Sequence, residues 1–449
     1  ATYREALKIT PNSAVANRQL GLTLWIWNHE AGEIDFLRTA TRLALNDALA
    51  WAYLSYSAID THQVELAFAA AQAAVNANPN LAEAYTAVAN TYLRYPPDTT
   101  NPEANYDAAQ EAMKRARALD PEGLWVLWFD SQLLQTTGKY DESLVPLDKM
   151  IALRPNWPTL YYAKGGVYHG KADIAEARRW QERALALDPE YPNALTELGW
   201  LSFEEGDYPK AIEYFQLGLR TTDDVNDYAH AGYGFALAAQ GDTANALTRC
   251  RRAVQIDPRA PLGYQCLGML FLNDLQQLDD ALGNYRKVIE LRPQWESGYI
   301  GVGRVFDAQR NYVEAEKVLR QGVERVKEPK YITFWLGLAL YRQQKYEEAL
   351  PHFAQATQLA ANDPGVHFWY ACSACPRRAP PTSAPWRSTR TIRRPRTRSN
   401  GCVARDSERA RAASATIRPL ARYGRRLRRH GGMGRASRWR DGAPPAVRP

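Results

Sequence analysis

A small residue returns along this chain at a nearly fixed interval: Gly21, Ser55, Ala89, Ser131, Gly165, Gly199, Gly234, Gly268, Gly303, Gly337 and Ala371. Successive gaps are 34 or 35 residues, with one of 42. A second series, Ala40, Ala74, Ala116, Met150, Ala184, Gly218, Ala253, Val288, Gly322 and Ala356, keeps step with it. Proline trails that series by five residues at Pro79, Pro121, Pro155, Pro189, Pro258 and Pro293, and Pro11 stands the same distance after Ala6. A period of this length marks an array of supersecondary units, each burying its apolar face only against its neighbours. Length alone would divide 449 residues into about three globular domains. The periodicity predicts one stack with no central core instead.

Each period carries helical spacing twice. In residues 192–226, Leu195, Leu198, Gly199 and Ser202 share one face, Gly206-Asp207-Tyr208 makes a turn, and Ala211, Phe215, Gly218 and Leu219 repeat the pattern. The turn recurs as Gly138-Lys139-Tyr140 and Gly241-Asp242. Glycine there supplies the left-handed residue that closes the first helix. Acids just beyond it (Asp141, Glu142, Glu176, Glu314, Glu347) suit the positive end of the second helix. Proline then ends that helix, because it has no N–H for the ladder and constrains the residue before it.

The residues Leu198-Gly199, Gly206-Asp207-Tyr208, Ala211 and Phe215 resemble the tetratricopeptide repeat family, as do Ala184 to Pro189 and Tyr264 with Leu267-Gly268. The resemblance covers residues 1–371 and implies an all-α, right-handed superhelical solenoid of about ten helix-turn-helix repeats, with first helices on the concave side. The expected repeats lie near 14–47, 48–81, 82–123, 124–157, 158–191, 192–226, 227–260, 261–295, 296–329 and 330–363, with half a repeat at 1–13 and another ending at 371. Residues 14–47 lack the closing proline. The repeat from Ala82 holds eight extra residues near Arg94 to Asn105, whose prolines predict a stiff exposed loop. Because Tyr3 to Pro11 has the pattern of a second helix without its first, the chain reads as a fragment of something longer, which leaves a signal peptide and the compartment open, cytoplasmic being the default.

The net charge of +7 averages two unlike pieces. Residues 371–449 hold 21 Arg, no Lys and 3 acids, a balance of +18, which leaves −11 for residues 1–370. The repeat stops in the middle of a helix after Ala371, and residues 372–449 are dominated by Arg, Ala, Pro, Ser and Gly. That is the composition of GC-rich DNA read out of frame. The alternative is a genuine Arg-rich arm for phosphate backbones or an acidic membrane surface. Neither builds a packed core. Nucleic acid is a partner only if this tail is genuine. Five cysteines are too few for a disulfide framework, and Cys372 with Cys375 lacks the second ligand pair of a zinc site. No apolar run is long enough to cross a membrane as a helix, so no membrane insertion is expected.

No reacting constellation emerges. Gly165, Gly170 and Lys171 have the spacing of a phosphate loop, but Ala172 stands where Ser or Thr would hold magnesium, and the segment belongs to a helical hairpin. The seven histidines make no metal pattern, and acid pairs such as Asp223-Asp224 fall at turns. Catalysis, cofactor and metal are therefore not expected.

The informative surface is one stripe of the first helices. Positions six before, three before and one after the small residue place Tyr56, Trp125, Trp128, Tyr162, Trp200, Tyr228, Phe235, Tyr331 and Phe334 along it, beside Asn90, Gln132, Asn193, Gln265 and Arg304. Aromatic rings with polar tips suit a peptide or helical segment of a partner protein, unless they pack against the adjoining repeat. The carboxylate clamp of some family members is missing, since Ala52, Thr86, Trp128 and Tyr162 stand at its positions. These features predict a non-catalytic protein-interaction scaffold binding an unidentified protein or peptide in its concave groove. The alternative is self-association through the repeat ends.

Overall fold

The computed structural model describes residues 2–27, 32–61, 63–94, 102–220, 226–326, 329 and 331–359. The chain divides into two units, residues 1–386 and 387–449, and only the first contains described residues. The basic tail and the half repeat ending at Ala371 lie outside them.

Among the described residues there are 21 α-helices and no strand. After α1 (Thr2–Ile9) come ten hairpins: α2 (Ala14–Trp27) with α3 (Glu33–Leu43), α4 (Ala48–Asp60) with α5 (Val64–Ala77), α6 (Ala82–Arg94) with α7 (Pro102–Leu119), α8 (Leu124–Thr136) with α9 (Tyr140–Leu153), α10 (Pro158–Gly170) with α11 (Ile174–Leu187), α12 (Pro192–Glu204) with α13 (Tyr208–Arg220), α14 (Asp227–Ala239) with α15 (Thr243–Ile256), α16 (Pro261–Asn273) with α17 (Leu278–Leu291), α18 (Glu296–Ala308) with α19 (Tyr312–Arg325), and α20 (Ile332–Arg342) with α21 (Tyr346–Leu359). Each helix packs on its hairpin partner and on the next hairpin. First helices, except the pair α8 and α10, also pack on the first helices that follow, as α4 does on α6 and α12 on α14, whereas second helices do not pack on one another comparably. The first helices thus form the inner side of the curve.

Each hairpin closes where a small residue meets a larger one roughly half a period later. Gly199 meets Phe215, Gly268 meets Tyr285, Gly303 meets Leu319 and Gly337 meets Phe353, and every one of those partners is buried. A Cβ on Gly199 would stand 2.7 Å from the Phe215 ring, closer than packed interiors tolerate. The same rings receive the next hairpin, because Gly232 of α14 sits against Phe215 and Gly301 of α18 against Tyr285. One ring therefore fixes both a hairpin and its junction, so truncating Phe215 to Ala removes about 3–5 kcal/mol.

The turns between paired helices keep one conformation whatever residue occupies them. Gly138, Gly206 and Gly241 are left-handed, as the sequence predicts, and so are Ala172, Gln276, Arg310 and Gln344 at the equivalent positions. The backbone bonds explain why. Asp207 N–H donates to the Ser202 carbonyl and Asn311 N–H to the Phe306 carbonyl, the six-residue closure that needs a left-handed residue inside it. The second helix then starts on a side-chain cap: Asp173, Asp242 and Asn311 each accept from a backbone N–H three residues on.

Several hairpin exits carry a bond that the periodicity did not reveal. Tyr85, Tyr161, Tyr264 and Tyr299 donate to the carbonyls of Pro79, Pro155, Pro258 and Pro293 at 2.8–3.1 Å. Where the closing proline is missing, Trp51 Nε1 donates to the Leu45 carbonyl in the same register, at 2.9 Å. The hairpin α2–α3 therefore forms despite its poor match.

Three expectations need correction. Arg94 ends α6, and Pro102 to Asn105 begin α7, so both ends of the supposed loop are helical; Tyr95 to Asn101 lie outside the described residues. Proline is harmless at the start of α7, where its missing N–H is not needed. Cys250 and Cys266 form a disulfide joining α15 to α16, with Cα atoms 5.8 Å apart, a pairing the cysteine count had not suggested. Nor are side-chain contacts confined to neighbours: Trp25 of the first hairpin reaches Trp125 of the fourth, with ring centroids 5.2 Å apart.

Two substitutions test the packing and the turn in opposite senses. Arg310→Gly relieves a left-handed side-chain-bearing residue and raises stability by about 1 kcal/mol. Gly301→Ala drives a methyl into the Tyr285 ring and lowers stability by about 1–3 kcal/mol. Urea unfolding of the three proteins side by side reads both signs.

Candidate functional site

The inner side divides into three stretches. In the first, rings fill the groove. Tyr56 lies 5.3 Å from Trp25, 5.6 Å from Trp125 and 5.1 Å from Phe129 between centroids. Trp157 stands edge-on to Trp125 at 6.3 Å. The rings meet across α6 because that helix offers them Thr86, whose hydroxyl is 2.6 Å from the Tyr56 hydroxyl, in place of a ring of its own. Tyr56 also donates to the Glu83 carbonyl and is fully buried.

In the middle stretch the groove is polar as well as aromatic. His169 at the end of α10 lies between two carboxylates of α12, with Nδ1 2.6 Å from Glu197 Oε1 and Nε2 3.0 Å from Glu204 Oε1. The hydrogen bond to Glu197 outweighs burial and pushes the His169 pKa up to about 9, so both ring nitrogens donate at neutral pH. Trp200 packs its face near Tyr228, 5.1 Å between centroids, and its edge against Phe215 at 5.7 Å. Burial, then Glu197, holds the Tyr162 phenol well above its ordinary pKa. Tyr228 is raised likewise by desolvation of its hydroxyl, with Glu197, Tyr162 and Glu204 adding to it, although 37% of the residue stays exposed. Tyr191 is pushed up to about 12 by burial and donates to Thr159 Oγ1 at 3.0 Å. These phenols stay neutral at neutral pH.

In the last stretch Arg304 Nη2 donates to Asn273 Oδ1 at 2.8 Å, and its guanidinium lies 5.6 Å from the Trp335 ring centre. Arg342 Nε is 3.3 Å from Asp307 Oδ1.

The aromatic stripe read from sequence is thus split. Tyr56, Phe235 and Phe334 are buried packing residues: Phe235 lies against Trp200 and Phe203, and Phe334 against Trp335 and Phe353. Their positions face the groove by helical period, but rings of their own or of other hairpins pack against them. Trp125, Trp128, Tyr162, Trp200, Asn90, Gln132 and Arg304 are half-buried, while Tyr228 and Tyr331 are exposed. The amides Asn193 and Gln265 are also half-buried.

A charged ladder escaped the sequence reading. Four or five residues after the small residue, successive first helices place Trp25, Asp60 and Arg94. Trp25 Nε1 donates to Asp60 Oδ2 at 2.6 Å, and Asp60 meets Arg94 at 4.0 Å. His169 to Glu204 and Asp307 to Arg342 are rungs of the same kind. Their signal was available as residues one period apart with opposite charge, near the end of each first helix. Among the described residues no group of three His, Cys, Asp or Glu side chains has the arrangement of a metal site, and no helix is long and apolar enough to cross a membrane.

Comparison with known proteins places this arrangement. A family profile described as tetratricopeptide repeat matches residues 162–226 and 301–364. The TPR repeat-containing protein YpiA of Bacillus subtilis is 24% identical over 53% of this chain and 55% of its own length. The BBSome complex member BBS4 of Bos taurus is 26% identical over 47% of this chain and 40% of its own. The chain thus spans about half, or less, of the length of these relatives. Among solved structures, the APC/C hetero-tetramer Cut9-Hcn1 superposes with a TM-score of 0.61 at 16% identity, covering 83% of this chain and 71% of that one, a likeness of fold.

The His169 bridge makes stability pH-dependent with a definite sign. Its pKa is raised on folding from the ordinary 6.5 to about 9, so its stabilisation is complete below about pH 6.5 and lost as pH rises to about 9. Melting temperatures from pH 6 to 10 should fall more for the native chain than for His169→Gln, and equal slopes would remove the bridge from the account.

Proposed function

We propose, from the premise that this chain belongs to the tetratricopeptide repeat family, that it is a scaffold whose inner groove holds an extended or helical segment of another protein. Tetratricopeptide repeat proteins generally mediate contacts between proteins and scaffold complexes, and the fold is typically non-catalytic. BBS4 is by name a complex member, and Cut9-Hcn1 is a hetero-tetramer. What carries the groove assignment here is the middle stretch, where Trp200 and Tyr162 remain half-buried and Tyr228 exposed after the hairpins have packed. A ring with a neutral phenol tip can bury area against a guest while keeping its hydroxyl free, and Trp200, whose indole N–H is itself buried, adds the surface of its ring. The first stretch, by contrast, is filled by its own rings. The guest is therefore expected over α10, α12 and α14 and onward toward Arg304 and Tyr331, not over α2 to α8.

Proteins retained from an extract by the immobilised chain, compared by quantitative mass spectrometry, test this. Tyr228→Ala should lower retention of the specific partner about tenfold or more, whereas Val313→Ala, exposed on second helix α19, should leave it unchanged. The opposite pattern would move the contact to the outer face. Light scattering against concentration on the same sample reads a constant monomer mass if a foreign partner is the ligand, and a rising mass if the chain binds itself.

A further inference from the structure

The ladder at the ends of the first helices is interrupted: its register positions carry no charge on α8 (Gln135, Thr136), on α14 (Ala238, Ala239) and on α16 (Leu272, Asn273), and the gap on α14 falls beside a surplus carboxylate. Asp60 is matched by Arg94 on the following first helix, and Asp307 by Arg342 on the one after it. Glu204 holds the same register on α12. The register position that follows it on α14 is Ala239, an exposed residue with no charge to offer. Behind Glu204 stands one cation for two carboxylates: His169 is shared between Glu197 and Glu204. Glu197 is buried, while the Glu204 side chain keeps 46% of its exposure. Of the described pair Glu197 and Glu204, which share the one cation His169, Glu204 is the more exposed.

Beside that carboxylate lie two of the rings that the hairpins leave at least partly accessible. Trp200 is one turn before Glu204 on α12, and Tyr228 tilts against it at 32°. Glu197 and Glu204 both act on the Tyr228 phenol, which places the ring beside the carboxylate pair. An aromatic wall along a surplus negative charge fits a long basic side chain, whose methylene stem lies on the rings and whose charged head reaches the acid. The acidic balance of residues 1–370 favours approach of such a segment.

We propose that the groove's guest carries a lysine or arginine whose cation completes the ladder at Glu204, in the gap left by Ala239, with its stem on Trp200 and Tyr228. This rests on the groove reading above and adds the chemistry of the guest.

A displayed library of random dodecapeptides, panned on the purified full chain, supplies the probe. The selected peptides should share a basic residue, and replacing it by norleucine should weaken binding about tenfold or more, the worth of a charge-assisted bond. Glu204→Gln should weaken binding by a similar factor. Ala239→Arg, which fills the rung from the chain itself at an exposed site, should do the same without lowering the melting temperature. Peptides that lose binding on Tyr228→Ala yet ignore Glu204→Gln and the norleucine replacement would overturn the basic anchor while leaving the groove reading intact. Peptides indifferent to Tyr228→Ala, or no selected peptide at all, would overturn both.

Discussion

The fold depends on one steric pairing, repeated: a residue with little or no side chain on the first helix against a buried side chain on the second. Leu37, Met113, Leu147, Phe215, Cys250, Tyr285, Leu319 and Phe353 occupy that second position and are buried almost completely. Because the pairing closes a hairpin locally, no distant strand or helix is required, and stability accumulates along the stack. Where the second residue is polar, the fold shows the cost. Gln181 fills the position opposite Gly165, donates to the Tyr162 carbonyl at 3.2 Å, and leaves its Oε1 without a hydrogen bond. Such an unsatisfied buried oxygen is a local weakness of about 1–3 kcal/mol.

The same pairing decides which stretch of the inner side is left for the proposed guest. Bringing helices close at the small residues forces the larger neighbours outward, some onto the next hairpin and some into the groove. In hairpins one to four the displaced rings find each other across Thr86 and fill the space. In hairpins five to seven the inner side instead carries His169, Glu197 and Glu204, whose need for polar partners and water keeps the surface from closing. An aromatic surface beside a charged bridge is therefore a product of packing, and its position follows from which residues the small ones displace.

Much of this was legible in the sequence. Three series in step gave the hairpins, because a period is visible wherever small size is needed at each turn. The left-handed turns at Arg310 and Gln344 were not legible, since the closing backbone bonds impose that conformation on residues that do not prefer it. Nor was burial of Tyr56, Phe235 and Phe334, because helical period gives a side chain's direction but not which rings of its own or other hairpins pack against it. The ladder of Asp60, Arg94, His169 and Glu204 was hidden for a different reason: its members differ in identity from hairpin to hairpin, and only charge and spacing unite them.

Excising residues 261–295 tests the account most directly. The cut removes the hairpin α16–α17 and joins Ala260 to Glu296, so that Gly298 takes the place of Gly263 against Ala253 and Val254, in the same register and with the same lack of a side chain. Far-ultraviolet circular dichroism of the shortened chain, compared with the full chain under reducing conditions, is the measurement. A stack held by local pairings keeps its helical signal per residue and still melts cooperatively; collapse of that signal along the remaining hairpins would show that a core spanning the whole chain, not the pairing of small and large, holds the structure.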